Sequence, residues 1–248
     1  MRSANIAEVF SSIQGEGIYV GERMLFIRFA KCNLRCKTCD TKRALLPRKT
    51  FHVQRGPSDD SFFRAPNPVT SARLLTIAEK FQEELHHRTV SITGGEPLVQ
   101  AAFLEEFLPV ARKLFPMIYL ETNGTLAKEL ARVLKFVDII AMDIKLRSVT
   151  GENVAVATHE KFLRLARGKK VFVKIVVGPR VNLKELEGAA KMLWRVAPGI
   201  SLVLQPVSVK NAPYPFKPGE LLALEKACLR YVGDIRIIPQ VHRILKLR

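Results

Sequence analysis

Cysteine is scarce: four residues in a chain of 248. That is too few to staple a domain of this size, so a disulfide scaffold is excluded and a reducing compartment is implied. Long apolar runs are missing as well, since none approaches the roughly 20 residues that a bilayer-spanning helix requires. The first residues put an acid, Glu8, where a secretory leader would carry its apolar segment. These absences predict a soluble, cytoplasmic protein with no membrane partner. Acidic residues are the minority: 23 Asp and Glu against 40 Lys and Arg leave a formal net charge of +17. The basic residues are spread along the chain, with local concentrations only at 164–170 and 242–248, and no nucleic-acid-binding motif accompanies them. A solvated basic surface, or one suited to anionic small molecules, therefore explains the charge, and nucleic acid is not required. Internal repeats are absent too. With 48% hydrophobic and 25% charged residues the composition is globular, which excludes wholesale disorder.

What is present is an alternation. Short β-branched runs at 24–30, 89–93, 117–121, 137–142, 171–177, 201–205 and 235–238 read as strands. Amphipathic stretches at 71–87, 101–115, 126–134, 159–167, 183–196 and 219–231 separate them as helices. Asn182 followed by Glu185 makes a capping pair for the fifth of these, and Pro198-Gly199 stops it. Repeated βα units predict an α/β fold: a single domain, 1–248, built as an incomplete or modified (β/α) TIM-like barrel. In parallel barrels chemistry sits at the C-terminal strand ends. The stretch near 42–69, rich in Pro, Arg and Ser, breaks the alternation and reads as an inserted loop or small subdomain. Trp194 reads as helix core, and His86 and His87 as surface residues.

Cys32-x3-Cys36-x2-Cys39 places three thiolates in one loop. Thiolates suit zinc or an iron–sulfur cluster. A structural zinc site wants four ligands, and the candidates for a fourth are His52 and Cys228, the latter inside a predicted helix and more naturally a small buried apolar residue. Three thiolates on a [4Fe-4S] cluster would instead leave one iron open, so the missing ligand becomes a requirement. A zinc-stabilised basic nucleic-acid module stays as an alternative at this level.

The cysteine loop after the first strand, Gly94-Gly95-Glu96-Pro97 after the next, and the barrel pattern together resemble the radical S-adenosylmethionine superfamily. That resemblance implies a [4Fe-4S] cluster on Cys32, Cys36 and Cys39 whose open iron chelates S-adenosylmethionine, from which one electron releases a 5′-deoxyadenosyl radical. It also implies that Thr38, Cys39, Asp40, Gly95, Glu96, Glu121, Asp143, Ile144, Lys145, Gln205, Pro206, Val207 and Ser208 hold S-adenosylmethionine. Thr38 stands where many members carry an aromatic residue, so backbone contacts are expected there.

Further motifs narrow the resemblance: Gln14-Gly15-Glu16-Gly17, Arg28 ahead of Cys32-Asn-Leu, Asp40-Thr41, Thr93, Glu121-Thr-Asn-Gly124, Gln205-Pro206 and Gln240-Val-His242. They are similar to the 7-carboxy-7-deazaguanine synthase family, which contracts 6-carboxy-5,6,7,8-tetrahydropterin with loss of ammonia. The similarity implies substrate contacts from Ile13, Gln14, Gly15, Glu16, Arg28, Thr93, His242 and the terminal Arg248, and a Mg2+ ion on Thr41. It implies as partners an electron-donor protein and a second copy in a homodimer. A pterin edge is an array of donors and acceptors that Gln14 and Glu16 can read, and a substrate carboxylate wants a guanidinium, for which Arg28 is suited. The competing expectation for Arg28 is an ion pair with a nearby Glu. A glycyl-radical-enzyme activase of the same superfamily is the alternative enzyme, though it has no use for Gln14, Glu16 and Thr41.

Overall fold

The computed structural model describes residues 2–208 and 215–247. Among them the strands are β1 (Ser3–Ala4), β2 (Ile6–Ile13), β3 (Arg23–Phe29), β4 (Thr50–Gln54), β5 (Phe62–Pro66), β6 (Val69–Thr70), β7 (Thr89–Gly94), β8 (Met117–Thr122), β9 (Ile139–Ile144), β10 (Lys170–Val177), β11 (Ser201–Pro206) and β12 (Ile235–Ile237). The helices are α1 (Ser71–Glu84), α2 (Ala101–Ala111), α3 (Ala127–Val133), α4 (Arg147–Thr150), α5 (Val156–Ala166), α6 (Leu183–Val196), α7 (Pro218–Cys228) and α8 (Val241–Ile244).

Ten strands form one sheet in the order β12-β11-β10-β9-β8-β7-β3-β2-β4-β5. The seven from β12 to β3 are mutually parallel and lie in chain order, as successive βα crossovers produce. They are the seven strands the sequence predicts. β2 joins antiparallel to β3, β4 runs parallel to β2, and β5 returns antiparallel to β4. Among the described residues no pairing closes β12 onto β5, so the barrel is incomplete.

The stretch at 42–69 is therefore more than a loop. Its hairpin continues the main sheet past β2, an element the alternation of strands and helices does not reveal. β2 is buried on both faces, and Glu8 sits in its middle, so neither a clean alternation nor an apolar run marks it.

Helix ends follow local chemistry. Thr70 accepts the Arg73 N–H at 3.3 Å to start α1, and Leu74, Ile77, Ala78 and Phe81 give it one buried stripe. α1 ends at Glu84, short of the expected 87, and the surface reading of His87 is overturned. His87 is buried, with Nε2 2.8 Å from Ser11 Oγ and its backbone N–H donated to Gln82 Oε1 at 2.6 Å. Asn182 caps α6 by accepting from Lys184 N and Glu185 N. The Glu185 carboxylate does not reciprocate; it accepts from Ser148 N and Oγ instead. Trp194 is a further correction. It is 57% exposed, because the stripe Leu186, Ala189, Ala190, Leu193, Val196 already covers the sheet, and one residue beyond Leu193 turns about 100° away from it.

Candidate functional site

Each parallel strand buries its outward-facing residues under helices and turns alternate residues inward. On β10, Val173, Ile175 and Val177 join the main core, while Phe172, Lys174 and Val176 face the interior. The inward series reads Met24, Phe26, Arg28 on β3; Ser91, Thr93 on β7; Met117, Tyr119, Glu121 on β8; and Ile139, Ala141, Asp143 on β9. On β3, β8 and β9 the series runs from apolar at the N-terminal end to polar at the C-terminal end, and on β7 it is polar throughout. Phe10, Met24, Phe26, Tyr119, Phe172 and Val203 pack into a separate inner cluster. That cluster floors a cavity of about 870 Å3 whose rim is polar.

The cysteine loop closes one side of this cavity. Lys31 adopts a left-handed backbone (φ 74°) just past β3 and turns the chain into the loop. Its carbonyl accepts the Glu96 N–H at 2.9 Å, and Phe29 O accepts Gly95 N at 3.0 Å. A Cβ at Gly94 or Gly95 would lie 2.3 Å from Phe29 O or Lys31 O, so both glycines are needed for the backbone of this turn to lie against the loop. Cys32, Cys36 and Cys39 all line the cavity and none forms a disulfide. Burial pushes the Cys32 thiol up and that of Cys36 to about 11, so loading with metal would release protons. Cys228 is fully buried in the core, its thiol pushed by burial to about 12, and takes no part in the loop.

The rest of the rim is an ionic chain that reaches the loop at Asp40. Lys174 Nζ pairs with Glu16 Oε2 and lies 3.3 Å from Asp143 Oδ2, which also holds Lys145 Nζ at 2.8 Å. Gln240 Nε2 donates to Glu16 Oε1 at 2.6 Å and to Asp40 Oδ2 at 2.9 Å. Burial alone would raise the Glu16 carboxyl, but Lys174 with Gln240 holds it down at about 2. Burial likewise works against the Asp143 anion, and Lys145 and Lys174 outweigh it. Beside this chain, Glu121 accepts from Gln14 Nε2 (2.9 Å), Ser91 Oγ (3.1 Å) and Thr93 Oγ1 (2.9 Å). Lys174 is a site residue that sequence reasoning missed, and Gln240, noted there within a motif, was given no role. A lysine inside the apolar run of β10 was the available signal.

The cavity brings together Ile13, Gln14, Gly15, Glu16, Arg28, Thr93 and His242 of the expected substrate set. Gly15 is required by closeness: its O accepts the Val241 N–H at 2.9 Å, and a Cβ would fall 2.3 Å from His242 Nδ1. Thr38, Asp40, Thr41, Gly95, Glu121, Asp143, Lys145, Gln205, Val207 and Ser208 also line it. Glu96, Ile144 and Pro206 do not. Glu96 is fully buried, accepting from Leu98 N, Thr122 Oγ1 and Asn123 N, and Ile144 packs in the main core. Arg248 lies outside the described residues. Asp143 Oδ1, Gln205 Oε1 and Ser208 Oγ are buried on the wall without a hydrogen-bond partner among the described residues. Orphaned acceptors beside three unbridged thiols are what a cluster-bound, hydroxyl-bearing cofactor would satisfy.

Both expectations for Arg28 meet in the structure. Its Nε donates to Glu8 Oε1 at 2.8 Å, and the guanidinium carbon lies 5.7 Å from the Phe10 ring centroid. The side chain nonetheless lines the cavity.

With this geometry in hand, known proteins give a consistent picture. The family profile of the radical SAM superfamily matches residues 26–193. A 7-carboxy-7-deazaguanine synthase of Geobacter sulfurreducens is 41% identical over 98% of this chain and 97% of its own. That of Archaeoglobus fulgidus is 35% identical over 99% of each. The crystal structure of QueE from Escherichia coli superposes with a TM-score of 0.62 at 23% identity, covering 97% of this chain and 95% of that one, and shares its fold.

Proposed function

The chain belongs to the radical SAM superfamily and, within it, to the 7-carboxy-7-deazaguanine synthase family, and from that premise we propose how its cavity works. The function is the radical-mediated ring contraction of 6-carboxy-5,6,7,8-tetrahydropterin to 7-carboxy-7-deazaguanine with loss of ammonia, a lyase reaction on the way to deazapurine nucleosides. The observation that carries this reading is that one cavity joins the cysteine loop to Glu16, Thr93 and Arg28.

Bound through Cys32, Cys36 and Cys39, a [4Fe-4S] cluster with S-adenosylmethionine supplies the one-electron chemistry that starts the reaction. Asp143, Gln205 and Ser208 offer buried acceptors to the cofactor, and Lys145 a cation to its carboxylate. Glu16, kept anionic by Lys174, accepts N–H groups of the pterin edge. Gln14 holds Glu121 in place at 2.9 Å, which in turn aims Thr93 Oγ1. The aromatic floor excludes water from the reacting carbon. Arg28 receives the substrate carboxylate, and Thr41 Oγ1, a hard donor suited to the cation, would hold a Mg2+ ion that polarises it. His242 closes the cavity over Gly15. To the same reading belong a separate electron-donor protein, a homodimer and a cytoplasmic location. No helix among the described residues is long and apolar enough to cross a membrane.

The test is anaerobic turnover with S-adenosylmethionine, dithionite, Mg2+ and 6-carboxytetrahydropterin, followed by product identification. Ammonia and the deazaguanine are expected in equal amounts. Ala at Cys32, Cys36 or Cys39 should abolish the iron–sulfur absorbance, while Cys228→Ala keeps it. S-adenosylmethionine cleavage with no change in the pterin would sink the substrate assignment. Unaltered Mg2+ stimulation in Thr41→Ala would remove the metal from that hydroxyl.

A further inference from the structure

Glu8 and Arg28 face each other across β2 and β3 in register, and a plain structural ion pair would end there. It does not. Arg43, on the short turn Lys42–Ala44 that follows the cysteine loop, donates Nη2 to both Glu8 oxygens, at 2.5 and 2.6 Å. The Glu8 side chain is 1% exposed, so one buried carboxylate carries two guanidiniums and the trio has a formal charge of +1. The Arg28 side chain is 16% exposed and that of Arg43 43%, so the surplus charge opens toward the cavity, where an anion can meet it. Glu8 stands behind; Arg28 and Arg43 are the members that line the cavity, on the wall that also holds Thr41 and Thr93.

On this wall Asp40 accepts from the Gln240 amide, Glu121 from Gln14, Ser91 and Thr93, and Glu16 pairs with Lys174; among the described residues none of these carboxylates bonds Arg28 or Arg43. Glu8 engages Arg28 through Nε alone, and no described residue bonds its two terminal nitrogens, which form the edge that takes a carboxylate in parallel bonds. Arg243 lines the same cavity and adds a further positive charge.

We propose that Arg43 is a second specificity residue for the substrate's carboxylate, acting beside Arg28, so that two guanidiniums fixed on one buried glutamate select carboxylated over uncarboxylated tetrahydropterins. This rests on the substrate reading above, and it gives the stretch after the cysteine loop a part in selection.

The experiment is calorimetric binding of 6-carboxytetrahydropterin and 6-methyltetrahydropterin to the cluster-loaded enzyme, anaerobically, with S-adenosylmethionine and no reductant, so that no turnover occurs. The parent, Arg28→Gln, Arg43→Gln and Arg43→Lys are compared, each with and without Mg2+. Arg43→Gln is expected to lose about tenfold of the preference for the carboxylated compound while binding the methyl compound as the parent does. Arg43→Lys should recover only part of the loss, because an ammonium that stays on Glu8 as the single nitrogen Nη2 does has no second nitrogen to offer the substrate's carboxylate. Equal losses toward both pterins would make Arg43 merely structural and overturn the proposal. So would full preference in Arg43→Gln alongside its loss in Arg28→Gln, with the substrate reading left standing. If the parent itself shows no preference, the substrate reading fails as well.

Discussion

Gly15-Glu16, after the antiparallel β2, and Gly95-Glu96, after the parallel β7, are the same dipeptide beyond two strands of one sheet, and the structure gives their glutamates opposite characters. Glu16 looks into the cavity, meets the Lys174 ammonium, and is held down at about 2 against the effect of burial. Glu96 is fully buried behind the turn, where burial pushes its carboxyl to about 7 although two backbone N–H groups and the Thr122 hydroxyl donate to it. Dipolar donors soften a buried carboxylate's desolvation; a full opposite charge reverses it. The first arrangement ties Glu96 to the Thr122-Asn123 segment as a structural bracket. The second keeps an acceptor ionised for a ligand.

The largest break in this contrast is Lys174→Met. It leaves Glu16 without its counter-charge and Asp143 with Lys145 alone, and is expected to cost about 3–5 kcal/mol in denaturant unfolding. Adding Glu16→Gln should return part of that loss; no recovery would mean that the lysine acts through packing.

Next comes pH. Between about 4.5 and about 7 the native chain holds a proton on Glu96 that the unfolded chain has released, so stability should fall as pH rises through that window, by about 3 kcal/mol in all. Glu96→Gln should flatten this limb. Glu16 works with the opposite sign. Its native carboxyl has lost a proton that the unfolded chain keeps between about 4.5 and about 2, so its contribution is complete above 4.5 and disappears as pH falls through that range. Glu16→Gln should remove only the acid-side loss. Urea midpoints from pH 3 to 8 separate the two, and identical profiles for both variants would show that the environments are not opposed.

The smallest effect belongs to Thr122→Val, which deletes one of the three donors to Glu96. It should cost about 1 kcal/mol near neutral pH and less near pH 5, where the carboxyl is protonated. A loss independent of pH would place the hydroxyl's role with Gly124 N, which it also accepts.

What could be read along the chain was whatever lies within one element or one loop. The cysteine spacing, the paired glycines of 94–95 and the seven parallel strands all announce themselves through period and local steric need. β2 stayed hidden because burial on both faces removes the period that marks a strand. Trp194 was misplaced because a hydrophobic residue on a helix does not state which side of the stripe it occupies, and His87 because its partner Ser11 is 76 residues away.

The sequence by itself determined the βα alternation, the three-thiol loop and the Gly-Glu motifs, since each depends on neighbours a few residues apart. Only the tertiary structure decided which glutamate is an anion, which arginines share Glu8, and that Lys174 meets Glu16 across 158 residues. Those outcomes depend on strand register and on which face of a twice-buried strand turns inward, and charges separated so far along the chain interact only after folding has removed the water between them.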